Sequence, residues 1–281
     1  MPDLIDLALA EDIGSGDITA KFFTKPGALA HAKIIARQSG CLAGIDTAGE
    51  VFQRVDSSLA VMLKKTNGDS FNANDCVLEV SGNAASILTA ERTALNFLQH
   101  LSGVATLARR FADEIQGTHT RILDTRKTTP NFRLLEKEAV RIGGGTNHRF
   151  GLYDMIMLKD NHIDFCGGVE KAIEKTWHYV QTVKPALKIE VEARSIEDVK
   201  KIISVGRGKV FRILLDNFTP PALAQAVSML KMEGGFETEA SGGINLANIE
   251  SYAQSGVDYV SVGALIHQAR SVDLSLKAVN F

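Results

Sequence analysis

Five basic or titratable side chains between residues 122 and 163 are the candidates in this sequence for binding a ligand with several negative charges. They are Arg126, Lys127, His148, Arg149 and Lys159. A surface helix would spread such charges along one face beside acidic partners. These residues instead follow short apolar runs or lie in a glycine-rich loop. Local positive charge of this kind is typical of a pocket for an anionic substrate.

Carboxylates form a second set of candidates. Glu190 and Glu192 alternate with apolar residues, so both face the same side of a predicted strand. Asp216 follows the apolar run 213–215. Such carboxylates could bind a divalent metal or the hydroxyls of a sugar. Equally, they could pair with the cationic set, and the residues alone do not decide between these two roles.

Glycines after two late strands indicate a phosphate site. Ser241, Gly242 and Gly243 follow one predicted strand, and Gly263 follows the next. Glycine lets backbone N–H groups approach a phosphate, and the N-terminus of a following helix adds a favourable dipole. Each could also be an ordinary turn between a strand and a helix, but as a pair they favour a cup for one phosphate.

Alternating strands and helices must position these residues. Predicted strands after Gly117 lie at 121–123, 155–158, 188–191, 210–215, 237–240 and 259–262. Predicted helices lie at 132–142, 169–183, 195–205, 220–232 and 247–256. This alternation demands a parallel sheet, and continuously apolar strands favour a barrel. The candidates all fall at the carboxyl ends of strands, where a (β/α) barrel carries its active site.

The first hundred residues have a different pattern, which predicts a small α+β unit. A helix is expected at 3–12 and strands at 31–37, 59–65 and 76–80, with Asn67-Gly68 as a hairpin turn. A long helix from 84 to about 115 is expected to break near Ser102-Gly103. Arg109 and Arg110 on it are interpreted as a solvated face.

Composition excludes several classes of protein. The 281 residues are 45% hydrophobic and 23% charged, with a net charge of -2, so no global basic field recruits nucleic acid or an anionic membrane. No apolar run has the length of a membrane-spanning helix, and the acidic N-terminus lacks the features of a secretory signal. Three widely spaced cysteines fit neither a disulfide framework nor a metal site, and predict a cytoplasmic protein.

Nine short motifs, in order along nearly the whole chain, resemble the quinolinate phosphoribosyltransferase family (nicotinate-nucleotide pyrophosphorylase, carboxylating). They are EDIGSGDIT (11–19), ERTALN (91–96), SGVAT (102–106), DTRKT (124–128), NHR (147–149), LKDNH (158–162), EVE (190–192), LDNF (215–218) and SGGI (241–244). The set is specific, although no single motif would be. Two departures from the family pattern touch no motif residue: Asn131-Phe132 after Pro130, and a longer segment containing Gly206-Arg207-Gly208.

The resemblance implies an N-terminal α/β sandwich domain followed by an incomplete, TIM-like (β/α) barrel of the seven-stranded type. The implied ranges are 1–107 for the sandwich, 108–270 for the barrel and 271–281 for a tail that packs back on the N-terminal domain. It also implies a homodimer in which Arg92 completes the partner's site.

The same resemblance implies roles for individual residues. Arg126, His148, Arg149 and Lys159 would hold the two carboxylates of quinolinate. Lys127 and Lys159 would also contact phosphoribosyl pyrophosphate. Glu192 and Asp216 would hold the ribose hydroxyls and Mg²⁺ with its pyrophosphate, Glu192 being preferred to Glu190 because it is nearer the strand's carboxyl end. Ser241, Gly242, Gly243 and Gly263 would hold the 5′-phosphate.

The implied reaction joins quinolinate to phosphoribosyl pyrophosphate and releases nicotinate mononucleotide, pyrophosphate and carbon dioxide, a step of NAD biosynthesis. No serine, histidine and aspartate or cysteine and histidine arrangement suggests a protein nucleophile. Alternatives are a paralogous phosphoribosyltransferase, either molybdenum-associated or nicotinate-specific, and a phosphate-binding barrel lyase.

Overall fold

The computed structural model describes residues 3–279, which form two compact units. Within that range, unit 1 comprises residues 3–109, Thr128–Gly144 and 265–279, and unit 2 comprises Arg110–Lys127 and Gly145–Ala264. Both units are therefore discontinuous along the chain. Residues 265–279 lie with the N-terminal part, and so does Thr128–Gly144, a segment that the resemblance leads us to expect in the barrel.

The N-terminal part of the chain forms four helices and five strands. In chain order they are α1 (Leu4–Ile13), α2 (Ile18–Phe23), β1 (Leu29–Ala36), β2 (Gly40–Cys41), α3 (Ile45–Val55), β3 (Ala60–Leu63), β4 (Ser70–Phe71), β5 (Cys76–Asn83) and α4 (Ala84–Glu114). The residues Gly14 to Asp17 form a turn and a helix cap, because the Asp17 carboxylate accepts the Ala20 N–H at 2.8 Å.

The remainder alternates strands with helices before a final strand. In chain order they are β6 (Arg121–Leu123), α5 (Arg133–Ile142), β7 (Ile156–Leu158), α6 (Asp160–Cys166), α7 (Val169–Val183), β8 (Ile189–Ala193), α8 (Ile196–Gly206), β9 (Arg212–Asp216), α9 (Pro220–Glu233), β10 (Glu237–Ser241), α10 (Ile249–Ala253), β11 (Tyr259–Ser261), α11 (Ala264–His267) and β12 (Leu274–Ala278).

Unit 1 contains an antiparallel sheet in the order β12-β1-β5-β3, so the last strand of the chain pairs with the first. Ile34 of β1, Phe52 of α3 and Leu78 of β5 are fully buried in one apolar core between the sheet and its helices. This packing is expected when alternate residues of an antiparallel sheet face a core.

The expected hairpin at Asn67-Gly68 is wrong. β3 pairs with β5, whereas β4 pairs with β2 in a separate two-stranded sheet, so the turn does not join paired strands. The Asp69 N–H donates to the Thr66 carbonyl at 3.1 Å, and of the two central residues only Gly68 has positive φ. A hairpin of the Asn-Gly type needs positive φ at both positions.

Helix α4 is continuous, so the predicted break near Ser102 is also wrong. The Ser102 hydroxyl donates to the Ala43 carbonyl at 3.1 Å and accepts the Ala43 N–H at 3.0 Å. A Cβ on Gly103 would collide with the Arg270 carbonyl, so this glycine allows two backbones to approach closely. Tertiary packing, rather than a helix end, explains both residues.

Arg109 and Asn131 each have a structural reason to be where they are. Arg109 donates to the carbonyls of Ile142 and Gly143 at 3.3 and 3.2 Å, so our interpretation of it as a solvated residue is wrong. It satisfies acceptors that the C-terminus of α5 leaves open.

Asn131 has φ 62, a left-handed conformation that asparagine tolerates better than most residues. Asparagine can therefore stand at a position that favours glycine.

Unit 2 contains a six-stranded parallel sheet in the order β6-β11-β10-β9-β8-β7. Thr146 adds an isolated parallel bridge to Leu123 of β6, and no pairing joins β6 to β7 among the described residues. The predicted alternation and the incomplete α/β barrel are thus confirmed. No helix within residues 3–279 is both long enough and apolar enough to cross a bilayer.

Candidate active site

The carboxyl ends of the unit 2 strands carry most of the predicted site residues. Arg126 and Lys127 come just after β6, and Lys159 comes directly after β7. Glu192, Asp216 and Ser241 lie at or next to the last residues of β8, β9 and β10. Because these strands are parallel, all of these residues lie at one edge of the sheet.

Arg126 and Arg149 form the cationic part of this edge. Burial lowers the pKa of the Arg149 guanidinium, and repulsion from Arg126 lowers it further. One Arg149 nitrogen donates to the Met155 carbonyl at 3.1 Å and so fixes the side chain. Two adjacent guanidinium groups suit a ligand with two carboxylates, because each charge can then be offset.

His148 differs from the other basic residues predicted to bind ligand because it is buried. Its Nε2 lies 3.2 Å from a carboxylate oxygen of both Glu190 and Glu239, and its Nδ1 accepts the Arg149 N–H at 2.6 Å. The backbone N–H of His148 donates to the Asp124 carboxylate at 2.8 Å. Burial lowers the pKa of His148, but the two carboxylates outweigh burial and raise it to about 9. The Arg149 N–H needs a lone pair on Nδ1, so this contact belongs to the neutral ring with its proton on Nε2. The second proton that the raised pKa favours would have to displace the Arg149 N–H from Nδ1.

Lys159, Glu192 and Asp216 form the part of the site that could bind a sugar and a cation. The Lys159 ammonium lies 3.5 Å from the buried Glu192 carboxylate. Burial raises the pKa of Glu192, Lys159 opposes this, and the negative charge of Asp216 adds to the rise. The mutual repulsion of these carboxylates shows that a cation would be stabilised near them.

The loop after β10 has the open backbone expected of a phosphate cup. The Ser241 hydroxyl hydrogen-bonds Asp216, while Gly242 and Gly243 have φ of 97° and 62°. A Cβ on Gly243 would meet open space. The helix after this loop, α10, begins only at Ile249, so the expected dipole contribution directly behind the glycines is wrong. Gly263 directly precedes α11, which has four residues.

Two of the predicted site residues, Lys127 and Arg92, are exposed and take no part in the hydrogen bonds and ion pairs described above. Lys127 is exposed, and its backbone N–H donates to the Thr125 hydroxyl at 3.0 Å. Arg92 belongs to unit 1, where it is exposed on α4. Glu190 points to His148 rather than to Lys159, and this geometry favours Glu192 as the carboxylate of the sugar and metal site.

Three residues that hold the site in place were not predicted from the sequence. Glu239 and Arg212 form an ion pair of 2.9 Å behind His148, and His162 accepts the Lys159 N–H at 3.0 Å. His162 lies three residues after the helix cap Lys159, a spacing that could have indicated a capping interaction. Glu239 and Arg212 had no such signal, because only the sheet order places them together.

Residues 3–279 also contain a possible set of metal ligands. In that range one group of three side chains has ligand atoms within 4.8 Å of one another: His148, Glu190 and Glu239. Glu192 and Asp216 are only a pair, so an ion there would need ligands from substrate or water.

Known proteins match this chain over nearly its whole length. Residues 17–102 match the N-terminal domain, and residues 104–277 the C-terminal domain, of the family described as quinolinate phosphoribosyl transferase. The mitochondrial quinolinate phosphoribosyltransferase [decarboxylating] 2b of Nicotiana tabacum is 42% identical over 289 residues, covering 99% of this chain and 82% of the relative. The probable nicotinate-nucleotide pyrophosphorylase [carboxylating] of Bacillus subtilis is 38% identical over 273 residues, covering 97% of this chain and 91% of the relative.

Solved structures give the same result. The nicotinate-nucleotide pyrophosphorylase of Francisella tularensis has a TM-score of 0.91 and 39% identity, covering 98% of this chain and 95% of that chain. Human nicotinic acid phosphoribosyltransferase, at 13% identity and a TM-score of 0.64 over 100% of this chain and 74% of that chain, shares the fold alone. This chain belongs to the quinolinate phosphoribosyl transferase family.

Proposed function

We propose that this protein transfers the phosphoribosyl group of phosphoribosyl pyrophosphate to quinolinate, with loss of one carboxylate as carbon dioxide. The products are nicotinate mononucleotide and pyrophosphate, so the enzyme is a pentosyltransferase of NAD biosynthesis. The observation that carries the proposal is the arrangement at one sheet edge of paired arginines, a lysine, two carboxylates and a glycine loop. The names of the relatives point to the same reaction.

Arg126, Arg149 and Lys159 hold the two carboxylates of quinolinate, which orients the ring nitrogen toward the ribose. His148 supports this set from behind, because both of its ring nitrogens already contact protein groups. Arginine suits the role because its planar fork binds a carboxylate in a fixed orientation. The repulsion between Arg126 and Arg149 also favours a dicarboxylate over nicotinate, whose single carboxylate would leave one guanidinium uncompensated.

The remaining residues act on phosphoribosyl pyrophosphate. Ser241, Gly242, Gly243 and Gly263 hold the 5′-phosphate, and Lys127 and Lys159 contact the pyrophosphate. Glu192 and Asp216 hold the ribose hydroxyls and stabilise the positive charge that develops on the ribose carbon as pyrophosphate leaves. They are also the residues that would hold Mg²⁺ together with substrate or water, and the ion would offset the charge of the leaving group.

The decarboxylation needs no further protein group. Once the ring nitrogen is bonded to ribose it is cationic, and it accepts the electron pair released when the adjacent carboxylate leaves. The protein's contribution is therefore orientation and charge, supplied by the preorganised arginines and lysine.

The test is to incubate the purified protein with phosphoribosyl pyrophosphate, Mg²⁺ and either quinolinate or nicotinate. Quinolinate should yield pyrophosphate, carbon dioxide and nicotinate mononucleotide. Faster turnover of nicotinate would indicate the nicotinate-specific relative. Absence of pyrophosphate with both would indicate a different barrel protein, such as a lyase or the molybdenum-associated relative.

Arg149→Ala and Lys159→Ala should each lower kcat/KM by about 100-fold or more, the scale for loss of one preorganised charged contact. Arg207→Ala is the matched control, because Arg207 pairs with Glu233 on an exposed surface away from the strand ends. Turnover of the first two variants at the wild-type rate would remove those residues from the site.

The protein acts as a homodimer in which Arg92 completes the partner's site. Leu88, Arg92 and Asn96 are exposed at four-residue spacing on α4, so they share one helix face. The Thr89 hydroxyl donates to Asp17 at 3.2 Å, and α2, which follows Asp17, exposes large apolar side chains. These are Ile18, Phe22 and Phe23. Exposed apolar residues around a charged one are typical of a protein interface.

Mixing Arg92→Ala with Lys159→Ala tests this arrangement. A hybrid dimer carries both changes in one site and neither in the other, so activity should reappear on mixing. No recovery would mean that Arg92 acts within its own chain or has no role.

We also propose a cytoplasmic location for the protein. The odd number and wide spacing of the cysteines support it, and fractionation of cells tests it.

A further inference from the structure

A chain of buried charges runs through unit 2 behind the site. His148, Glu190, Glu239 and Arg212 are between 0% and 9% exposed. Burying charged groups costs free energy even when they are paired, and apolar residues often stabilise a core as well or better. Stability alone therefore gives a weak reason for four such residues in one place.

Contacts fix Glu239 on one side of the His148 ring. Arg212 donates to Glu239 at 2.9 Å and to Glu237 at 2.8 Å, and its guanidinium lies 4.2 Å from the centre of the Tyr259 ring. Glu239 in turn lies 3.2 Å from Nε2 of His148. The carboxylate that faces the imidazole is thus held by a side chain that is itself held by two neighbours.

The opposite side of the ring contacts the cationic residues of the site. Nδ1 accepts the backbone N–H of Arg149 at 2.6 Å, and the backbone N–H of His148 donates to Asp124 at 2.8 Å. The orientation of the imidazole therefore determines where the Arg149 backbone lies. The Arg149 side chain is held by the Met155 carbonyl at 3.1 Å, so a shift of its backbone would change where the guanidinium lies.

We propose that Glu239, held by Arg212, is a positioning residue for binding the dicarboxylate substrate. It fixes the His148 ring, and the ring in turn contacts the Arg149 backbone, so Glu239 positions this part of the site without touching the substrate itself. This inference rests on the proposed function. A metal ion is the other possible occupant of His148, Glu190 and Glu239, but the Arg212 guanidinium and the Nε2 proton already offset the charge of Glu239.

Comparing Glu239→Gln with Glu237→Gln tests the proposal. Both variants remove one carboxylate from Arg212, but only Glu239 also contacts His148. Glu239→Gln should raise KM for quinolinate by about 10-fold or more, the scale of one hydrogen bond to a charged group, with KM for phosphoribosyl pyrophosphate within about 2-fold of wild type. Glu237→Gln should leave both KM values within about 2-fold, because it removes only a partner of Arg212. A purely structural role would change both variants, or both substrates, alike.

Equal effects of the two variants, or an unchanged KM for quinolinate in folded Glu239→Gln, would overturn the proposal. A crystal structure of the wild-type protein with quinolinate gives an answer even if Glu239→Gln does not fold. There, Arg149 should contact a carboxylate while His148 still faces Glu239; a His148 ring turned away from Glu239 would refute the inference. Wild-type protein that neither binds nor converts quinolinate would instead refute the proposed function.

Discussion

Replacing His148 by glutamine should flatten the pH dependence of folding stability between about pH 6 and about pH 10. In the folded protein the pKa of His148 is raised from 6.5 to about 9, because the attraction of Glu190 and Glu239 outweighs burial. A group with a raised pKa contributes stability in full below its unfolded pKa. That contribution disappears as the pH rises through the folded pKa.

The size of the effect follows from the difference between the two pKa values. A rise from 6.5 to about 9 in His148 corresponds, at about 1.4 kcal/mol per unit, to about 3 kcal/mol. The wild-type free energy of unfolding should therefore fall by about 3 kcal/mol more than that of His148→Gln over this pH range. Groups remote from His148 titrate alike in both proteins and cancel in the comparison. Glu190 and Glu239 do not, because the variant removes the partner that lowers the pKa of both.

Denaturant unfolding at a series of pH values measures this difference. The single tryptophan, Trp177, lies in α7 of unit 2, the unit that contains His148, so its fluorescence reports on the relevant part of the chain. NMR titration of the His148 ring, assigned by comparison with the variant, gives the pKa itself and needs no stable mutant. A ring pKa near 6.5, with parallel stability curves, would show that the Arg149 N–H keeps Nδ1 unprotonated and would refute the predicted charge.

Three further predictions concern the glycines and the metal. Gly242→Ala should lower kcat/KM for phosphoribosyl pyrophosphate by about 100-fold in steady-state assays, because the new Cβ would collide with Asn217 and shift the loop; Gly243→Ala, which meets open space, should cost less. Gly103→Ala should lower the free energy of unfolding by about 1–3 kcal/mol in denaturant titrations, because its Cβ would overlap the Arg270 carbonyl. Chelation by EDTA should abolish turnover and added Mg²⁺ should restore it; full activity in EDTA would contradict a role for the ion.

Periodicity was sufficient to predict unit 2 because each parallel strand is an apolar run of its own. All six strands were expected within a few residues of where they lie, and the residues at their carboxyl ends followed from the rule for parallel barrels. The N-terminal part was harder. The Asn67-Gly68 turn has the composition of a hairpin, yet its flanking strands pair elsewhere, because strand pairing depends on partners distant in sequence.

Dependence on distant partners also limited the prediction of residues whose role is set by tertiary contacts. Ser102 and Gly103 have the composition of a helix break, but their neighbours Ala43 and Arg270 are dozens of residues away. His148 was predicted to contact a ligand, and the structure places it between buried carboxylates and the Arg149 backbone. Burial and ion pairing cannot be inferred from residue type, because they depend on which strands are adjacent.

The sequence by itself determined the alternation of elements, the strand ends that carry the cationic and acidic residues, and the motifs of the family. These are local properties, since they depend on residue type and spacing along one segment. Only the tertiary structure decided that Glu239 and Arg212 lie behind His148 and that Glu190 faces inward. The physical reason is that sheet order brings together side chains from separate strands, and the energy of a charge depends on the neighbours it meets there.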